Sequence, residues 1–196
     1  MTVNYPKGVK VVKLSEKKRA RPHSRDGSAN RGMGFEKDIN ESNAFYLDKG
    51  RALVYKRPTP INVVKVDYSH GAKITQAYFE TQSTTDYNGV YHGHYIDFEA
   101  KSTRSKTSFP LHNIPQQQID HLKRVIEQKG IAFFIINCYA LGETYILDAK
   151  YIIDFYTKKT RESIPMDEIK KNGHLVKEGY CPRYDYLAVV DDFFLK

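Results

Sequence analysis

Cysteine is scarce in this chain of 196 residues: Cys138 and Cys181 are the only two, and neither forms a CxxC pair or a metal-binding spacing with histidine. A disulfide framework and a zinc knuckle are excluded on that ground, and Cys138, inside IAFFIINCYA, reads as a reduced structural residue. No apolar run approaches the roughly 20 residues that a membrane-spanning helix needs. The opening MTVNYPKGVKVVKLSEKKRA lacks the apolar block of a secretory signal, so the expected location is the cytoplasm, on the nucleoid, with no membrane partner. Internal repeats are absent as well. A chain of this length and 40% hydrophobic content is expected to form one globular domain.

Charge is abundant and unevenly placed. Residues 1–33 hold nine of the 31 basic side chains and only Glu16 and Asp26 of the 23 acidic ones, a net of +7. The other 163 residues carry 22 basic and 21 acidic groups, a net of +1. The excess is therefore a basic arm, expected to be disordered until it meets a polyanion, since it has too little apolar surface to offset the entropy of ordering. Nucleic acid is the fitting partner, through phosphate contacts that release counterions; a solubilising tail is the competing reading. Arg19, Arg21, Arg25 and Arg31 are the DNA-binding candidates within the arm.

Beyond Gly32 and Gly34, taken as the boundary, residues 34–196 are expected to form the folded domain. Phe35 to Lys49 has helical spacing, with Phe35, Ile39 and Tyr46 near one face and Gly50 as the stop. Ala52 to Tyr55 reads as a short strand. Pro58 and Pro60 interrupt before INVVKVDYS and KITQAYFE, which flank Gly71 as a two-stranded ribbon that projects as a stalk over about residues 59–80. Lys56, Arg57, Lys65 and Lys73 are further candidates for DNA binding along this stretch. Asn88-Gly89 reads as a turn and YHGHYIDFEAK as a strand. Pro115 opens a helix to about Lys129, IAFFIINCYA reads as a central strand covered on both faces, and TYILDAKYIIDFY as a strand followed by a short helix. A last helix spans Tyr186 to Leu195. Helices and strands interspersed around one buried strand predict an α/β fold with a mixed central sheet.

The chemistry is concentrated in TTDYNGVYHGHYIDFEAK. Along a strand, Tyr95, Asp97, Glu99 and Lys101 share one face, while Ile96, Phe98 and Ala100 share the other and can enter the core. Asp86 lies thirteen residues before Glu99, and a strand folding back can bring the two together. Two carboxylates held that close repel unless a cation lies between them, and oxygen ligands suit Mg²⁺ rather than zinc. Asp86, Glu99 and Lys101 are the catalytic candidates, the ammonium stabilising charge on a phosphoryl transition state. A Glu and a Lys two residues apart are also compatible with a solvated strand face. His92 and His94 have no further ligands at fitting spacing and read as surface or DNA-facing residues.

Larger blocks carry more information than the acidic motif. NRGM at residues 30–33, RALVYKRPTPINVVKVDY, STTDYNGVYHGHYIDFEAKSTRSKTSFPLHN, QQQIDHL and GYCPRYDYLAVVDDFF together resemble the RecU family of Holliday junction resolvases, from about Arg19 to the C-terminus. The resemblance implies a single-domain restriction-endonuclease-like fold, in which Asp86 and Glu99-Ala100-Lys101 match an acidic residue followed by Asp/Glu-x-Lys on a hairpin. Thr85 stands where the wider superfamily often has proline. The resemblance further implies Mg²⁺, with Mn²⁺ as a possible substitute, ligated directly or through water by Thr84, Asp86, Glu99 and Gln118. It also implies a homodimer acting on branched DNA, nicking two strands of like polarity in a four-way junction, alongside recombinase and branch-migration proteins. Glu36 or Glu41 is a candidate to complete the site. Two other functions remain open: a non-catalytic DNA-binding or strand-annealing modulator of a recombinase, and a nuclease of linear duplexes.

Overall fold

The computed structural model describes residues 28–80 and 84–196, with side chains from residue 34 onward. Its centre is a six-stranded mixed sheet in the order β1-β4-β5-β7-β8-β10. The strands are β1 (Leu53–Lys56), β4 (Tyr87–Tyr91), β5 (His94–Thr103), β7 (Ile131–Cys138), β8 (Glu143–Asp148) and β10 (His174–Leu175). Only β5 and β7 run parallel, as expected where α2 (Gln116–Glu127) intervenes as a crossover; every other neighbouring pair is antiparallel.

Every residue of β7 is buried, because both faces are covered. Phe133 and Ile135 point into one core with Phe35, Ile39 and Tyr46 of α1 (Ser28–Asp48) and Leu187 and Val190 of α5 (Tyr186–Phe193). Phe134 and Ile136 point into a second core with Ile119, Leu122 and Val125 of α2 and Ile152 of α3 (Ala149–Lys158). Each such fully buried side chain contributes about 1.5–3 kcal/mol of transfer free energy. The mixed α/β sheet with flanking helices, the α1, α2 and α5 faces and the doubly covered strand are therefore as expected.

The ribbon is also present. Strand β2 (Ile61–Asp67) pairs antiparallel with β3 (Lys73–Phe79) in a separate two-stranded sheet, with Gly71 at φ 102° in the connection. Its residues are exposed save Val66, including Tyr78 and Phe79. A two-stranded ribbon this open is marginal on its own.

Two local expectations are corrected. Helix α1 begins at Ser28, so Gly32 and Gly34 lie inside it rather than marking a break. Asn88-Gly89 is not a turn but the middle of β4, and the hairpin turns at His92-Gly93, whose φ values of 49° and 80° suit a tight two-residue connection. His92 and His94 thus do not alternate on one strand. Gly89 is glycine because β1 crosses closely: a Cβ there would overlap the Leu53 carbonyl oxygen and lie 2.7 Å from Val54 Cα. Both neighbours are backbone and cannot swing aside. Gly89→Ala is expected to part β1 from β4 and destabilise the protein by about 1–3 kcal/mol, read as a lower urea midpoint; an unchanged midpoint would contradict the close approach.

Shorter elements escaped the sequence pattern. They are β6 (Ser108–Pro110), β9 (Ser163–Pro165), α4 (Met166–Asn172) and β10. Residues 28–33 of the arm, expected to be disordered, belong to helix α1; the rest of the arm, with Arg19, Arg21 and Arg25, lies outside the described residues, as does the side chain of Arg31.

Candidate active site

Register places the two acids. Tyr87 of β4 faces Phe98 of β5, which faces Phe133 of β7, and the three rings stack at centroid distances of 4.9 and 4.8 Å. This buried stack fixes how β4 lies on β5. The residue before Tyr87 must then fall beside the residue after Phe98, and the Asp86 amide donates to Glu99 Oε2 at 2.9 Å.

Glu99 is 1% exposed, and Lys101 Nζ lies 2.8 Å from Glu99 Oε1. Burial drives the Glu99 pKa up, the Lys101 charge pulls it down and the Asp86 charge raises it again, leaving it at about 7. Thus Asp86, Glu99 and Lys101 converge as expected. Thr84 is half-buried, not on a strand but in the irregular segment leading into β4.

Gln118 is 5% exposed, and its side-chain oxygen Oε1 has no hydrogen-bond partner among the described residues. Helix α2 lies along β5: Gly130, just past its end, sits against Tyr95, and one turn into it His121 Nε2 is 2.9 Å from Asp97 Oδ2. As the helix is followed backwards, its contacts advance along β5. Gln118, three residues before His121, shares that face of α2 and is buried. A buried amide oxygen without a partner among the described residues is a group that a cation or a water could satisfy.

Among the described residues no three His, Cys, Asp or Glu side chains form a metal cage. The donors available are two carboxylates and neutral oxygens. That set fits Mg²⁺, which is held by one or two carboxylates and keeps several waters. Of the helix acids, Glu41 pairs with Lys37 at 3.7 Å on the surface, whereas Glu36 pairs with Lys56 at 2.5 Å. The Tyr87 hydroxyl, which donates to the Glu36 carbonyl, is pushed up by burial first and then by the charges of Glu36, Asp86 and Glu99. Glu36 is thus the helix acid whose charge, like those of Asp86 and Glu99, reaches the Tyr87 hydroxyl.

Sequence reasoning passed over the group beside these acids. Asp97, 0% exposed, accepts from Arg57 Nη2 at 2.7 Å, from the Tyr95 hydroxyl at 2.7 Å and from the Thr85 hydroxyl, with His121 against the same carboxylate. Burial alone would raise its pKa, but the bonds from His121, Arg57, Thr85 and Tyr95 outweigh burial and hold it below the ordinary carboxylate value. Arg57, expected at DNA, therefore turns its guanidinium inward, and Lys56 is paired with Glu36. Lys65 and Lys73 are exposed on the ribbon.

Comparison with known proteins follows the same lines. The profile of the family described as "Recombination protein U" matches residues 30–192. A protein named Holliday junction resolvase RecU from Streptococcus equi subsp. equi (strain 4047) is 48% identical over 196 residues, covering 98% of this chain and 97% of the relative. One of the same name from Bacillus cereus (strain AH820) is 47% identical over 199 residues, covering 99% of each. Among solved structures, that of Archaeoglobus fulgidus Hjc, a Holliday junction resolvase, aligns with a TM-score of 0.43 and 10% identity over 73% of this chain and 94% of that one.

Proposed function

The chain belongs to the RecU family, and from that premise we propose that it is a Holliday junction resolvase, a Mg²⁺-dependent endonuclease that nicks four-way DNA junctions symmetrically in homologous recombination and DNA repair. The observation that carries the reading is the buried Glu99 carboxylate, joined to the Asp86 amide at 2.9 Å and to Lys101 at 2.8 Å. Asp86 and Glu99 hold the cation, with the free oxygen of Gln118 and Thr84 completing the shell directly or through water. When bound, Mg²⁺ polarises the scissile phosphodiester and lowers the pKa of an attacking water; Mn²⁺ serves as a substitute.

The remaining work falls to the chain. The Lys101 ammonium, held by Glu99, faces the phosphate oxygens that gain charge as the bond breaks. The exposed aromatic ribbon enters the junction centre, and Lys65 and Lys73 on it meet phosphates. The basic arm clamps the duplex arms, which the net of +7 over residues 1–33 supports. One chain carries one such site, and a junction has two strands of like polarity related by two-fold symmetry. A homodimer working in the cytoplasm, with recombinase and branch-migration proteins as neighbours, matches that substrate.

The test is nicking of a labelled four-way junction in Mg²⁺ and in EDTA, with its linear arms as competitor. The expected result is paired nicks in Mg²⁺, none in EDTA, and little competition by linear arms. Binding without any metal-dependent nicking would mark a non-catalytic annealing module. Equal cutting of linear arms would mark a general duplex nuclease.

A further inference from the structure

The ribbon creates a problem for the site. The sheet strand β1 ends at Lys56, the chain departs through Arg57 into the ribbon, and the next described residue after the ribbon's Glu80 is Thr84, two before Asp86. The segment bearing Asp86 thus arrives from a projecting two-stranded element; the β4–β5 ladder holds it on one side from Tyr87 onward, and contacts at the ribbon's base hold it on the other.

Arg57 supplies these contacts from both backbone and side chain. Its amide donates to the Asp86 carbonyl at 2.7 Å. Its Nη1 donates to the Thr85 carbonyl at 3.1 Å and to the Thr85 hydroxyl at 2.6 Å, while Nη2 reaches the Tyr95 hydroxyl at 2.8 Å and Asp97 at 2.7 Å. The Thr85 hydroxyl in turn donates to Asp97. Pro58 follows Arg57 and keeps its backbone extended, so the residue meets this segment with little freedom left to lose. The guanidinium is planar and forked, and it ties the segment entering β4 to β5 just ahead of the ladder that begins at Tyr87–Phe98. Asp97 is buried at the middle of β5, so the anchor end does not move.

We propose that Arg57, locked on Asp97, is a positioning residue that fixes the Thr85-Asp86 segment against β5, setting the separation of the Asp86 and Glu99 carboxylates. It touches neither cation nor phosphate. This inference rests on the metal site proposed above.

Isothermal titration of Mn²⁺ into the full-length protein without DNA is the test, on wild type, Arg57→Gln, Asp97→Asn and the double variant, beside thermal melting and junction binding in EDTA. Arg57→Gln is expected to bind Mn²⁺ about 10- to 100-fold more weakly, the usual effect of losing an outer partner, while junction binding in EDTA is kept. Arg57→Gln alone leaves the Asp97 charge short of donors and melts lower. The double variant removes both charges and is expected to regain melting temperature without regaining Mn²⁺ affinity.

Affinity returning together with stability in the double variant would show that Arg57 acts only on the fold, and would overturn the proposal. Wild-type Mn²⁺ affinity in Arg57→Gln would overturn it too. So would lost junction binding with intact Mn²⁺ affinity, which would make Arg57 a DNA contact. A wild type that binds no Mn²⁺ would overturn the metal site itself, a failure distinguishable from the other three.

Discussion

Asp86→Asn will bind a four-way junction in EDTA as the wild type does and fail to nick it in Mg²⁺. The substitution keeps shape and backbone, so the amide at 86 still donates to Glu99 Oε2, at 2.9 Å in the wild type, and Arg57 still holds the 86 carbonyl. What is lost is one of the two carboxylate charges on which the proposed cation site rests. Asp86 also raises the Glu99 pKa, so removing its charge relieves Glu99 rather than straining it. The fold should therefore melt no lower in EDTA. The nicking rate in Mg²⁺ should drop at least about 10²- to 10³-fold, the scale of losing one preorganised charge-stabilising group. A purified Asp86→Asn protein that nicks junctions near the wild-type rate would remove Asp86 from the site.

The convergence of Asp86 on Glu99 was legible because it follows from strand alternation. Ile96 and Phe98 are apolar and the alternate residues are not, which fixes which face of β5 enters the core and which carries the acids. The turn was misplaced because Asn88-Gly89 and His92-Gly93 are both residue-glycine pairs, and local preference cannot choose between them. The choice is made by the β1 backbone lying against Gly89, a contact between distant parts of the chain. Asp97 was seen only as one more outward-facing residue of β5. Its partners come from positions 57, 85, 95 and 121, on separate elements, so no window of sequence contains the cluster. Gln118 had a signal, helical spacing four residues from Leu122 on the buried side, yet the same spacing suits a solvent-facing glutamine near a helix start. Only its burial, with an oxygen left unpaired, separates the two readings. The short elements β6, β9 and β10 have two or three residues each, too few for any periodicity to register.

The second large effect is a stability that falls as pH rises in the metal-free protein and is restored by Mg²⁺. Glu99 has a folded pKa of about 7 against an ordinary value of 4.5, chiefly because it is buried. Its protonated form is thus favoured by folding. The contribution is fully present below about pH 4.5 and is lost as pH rises through about 7, amounting to about 3 kcal/mol between those limits. For a domain of this size that corresponds to a melting temperature lower by about 6–12 °C in EDTA at pH 8 than at pH 5. Asp97 does not interfere, since its folded pKa lies below 3.8 and its contribution is lost only as pH falls through that lower value. His174, whose pKa burial lowers from 6.5, works in the opposite direction within this window. The comparison is therefore made as wild type minus Glu99→Gln, in which His174 cancels. A divalent cation beside Asp86 and Glu99 competes with the proton on Glu99, so the stabilisation by Mg²⁺ should be small at pH 5 and grow steadily to pH 8. Glu99→Gln should show neither the falling stability in EDTA nor the growing Mg²⁺ effect. Equal pH slopes for the two proteins would mean that Glu99 is not the group that trades a proton for the metal.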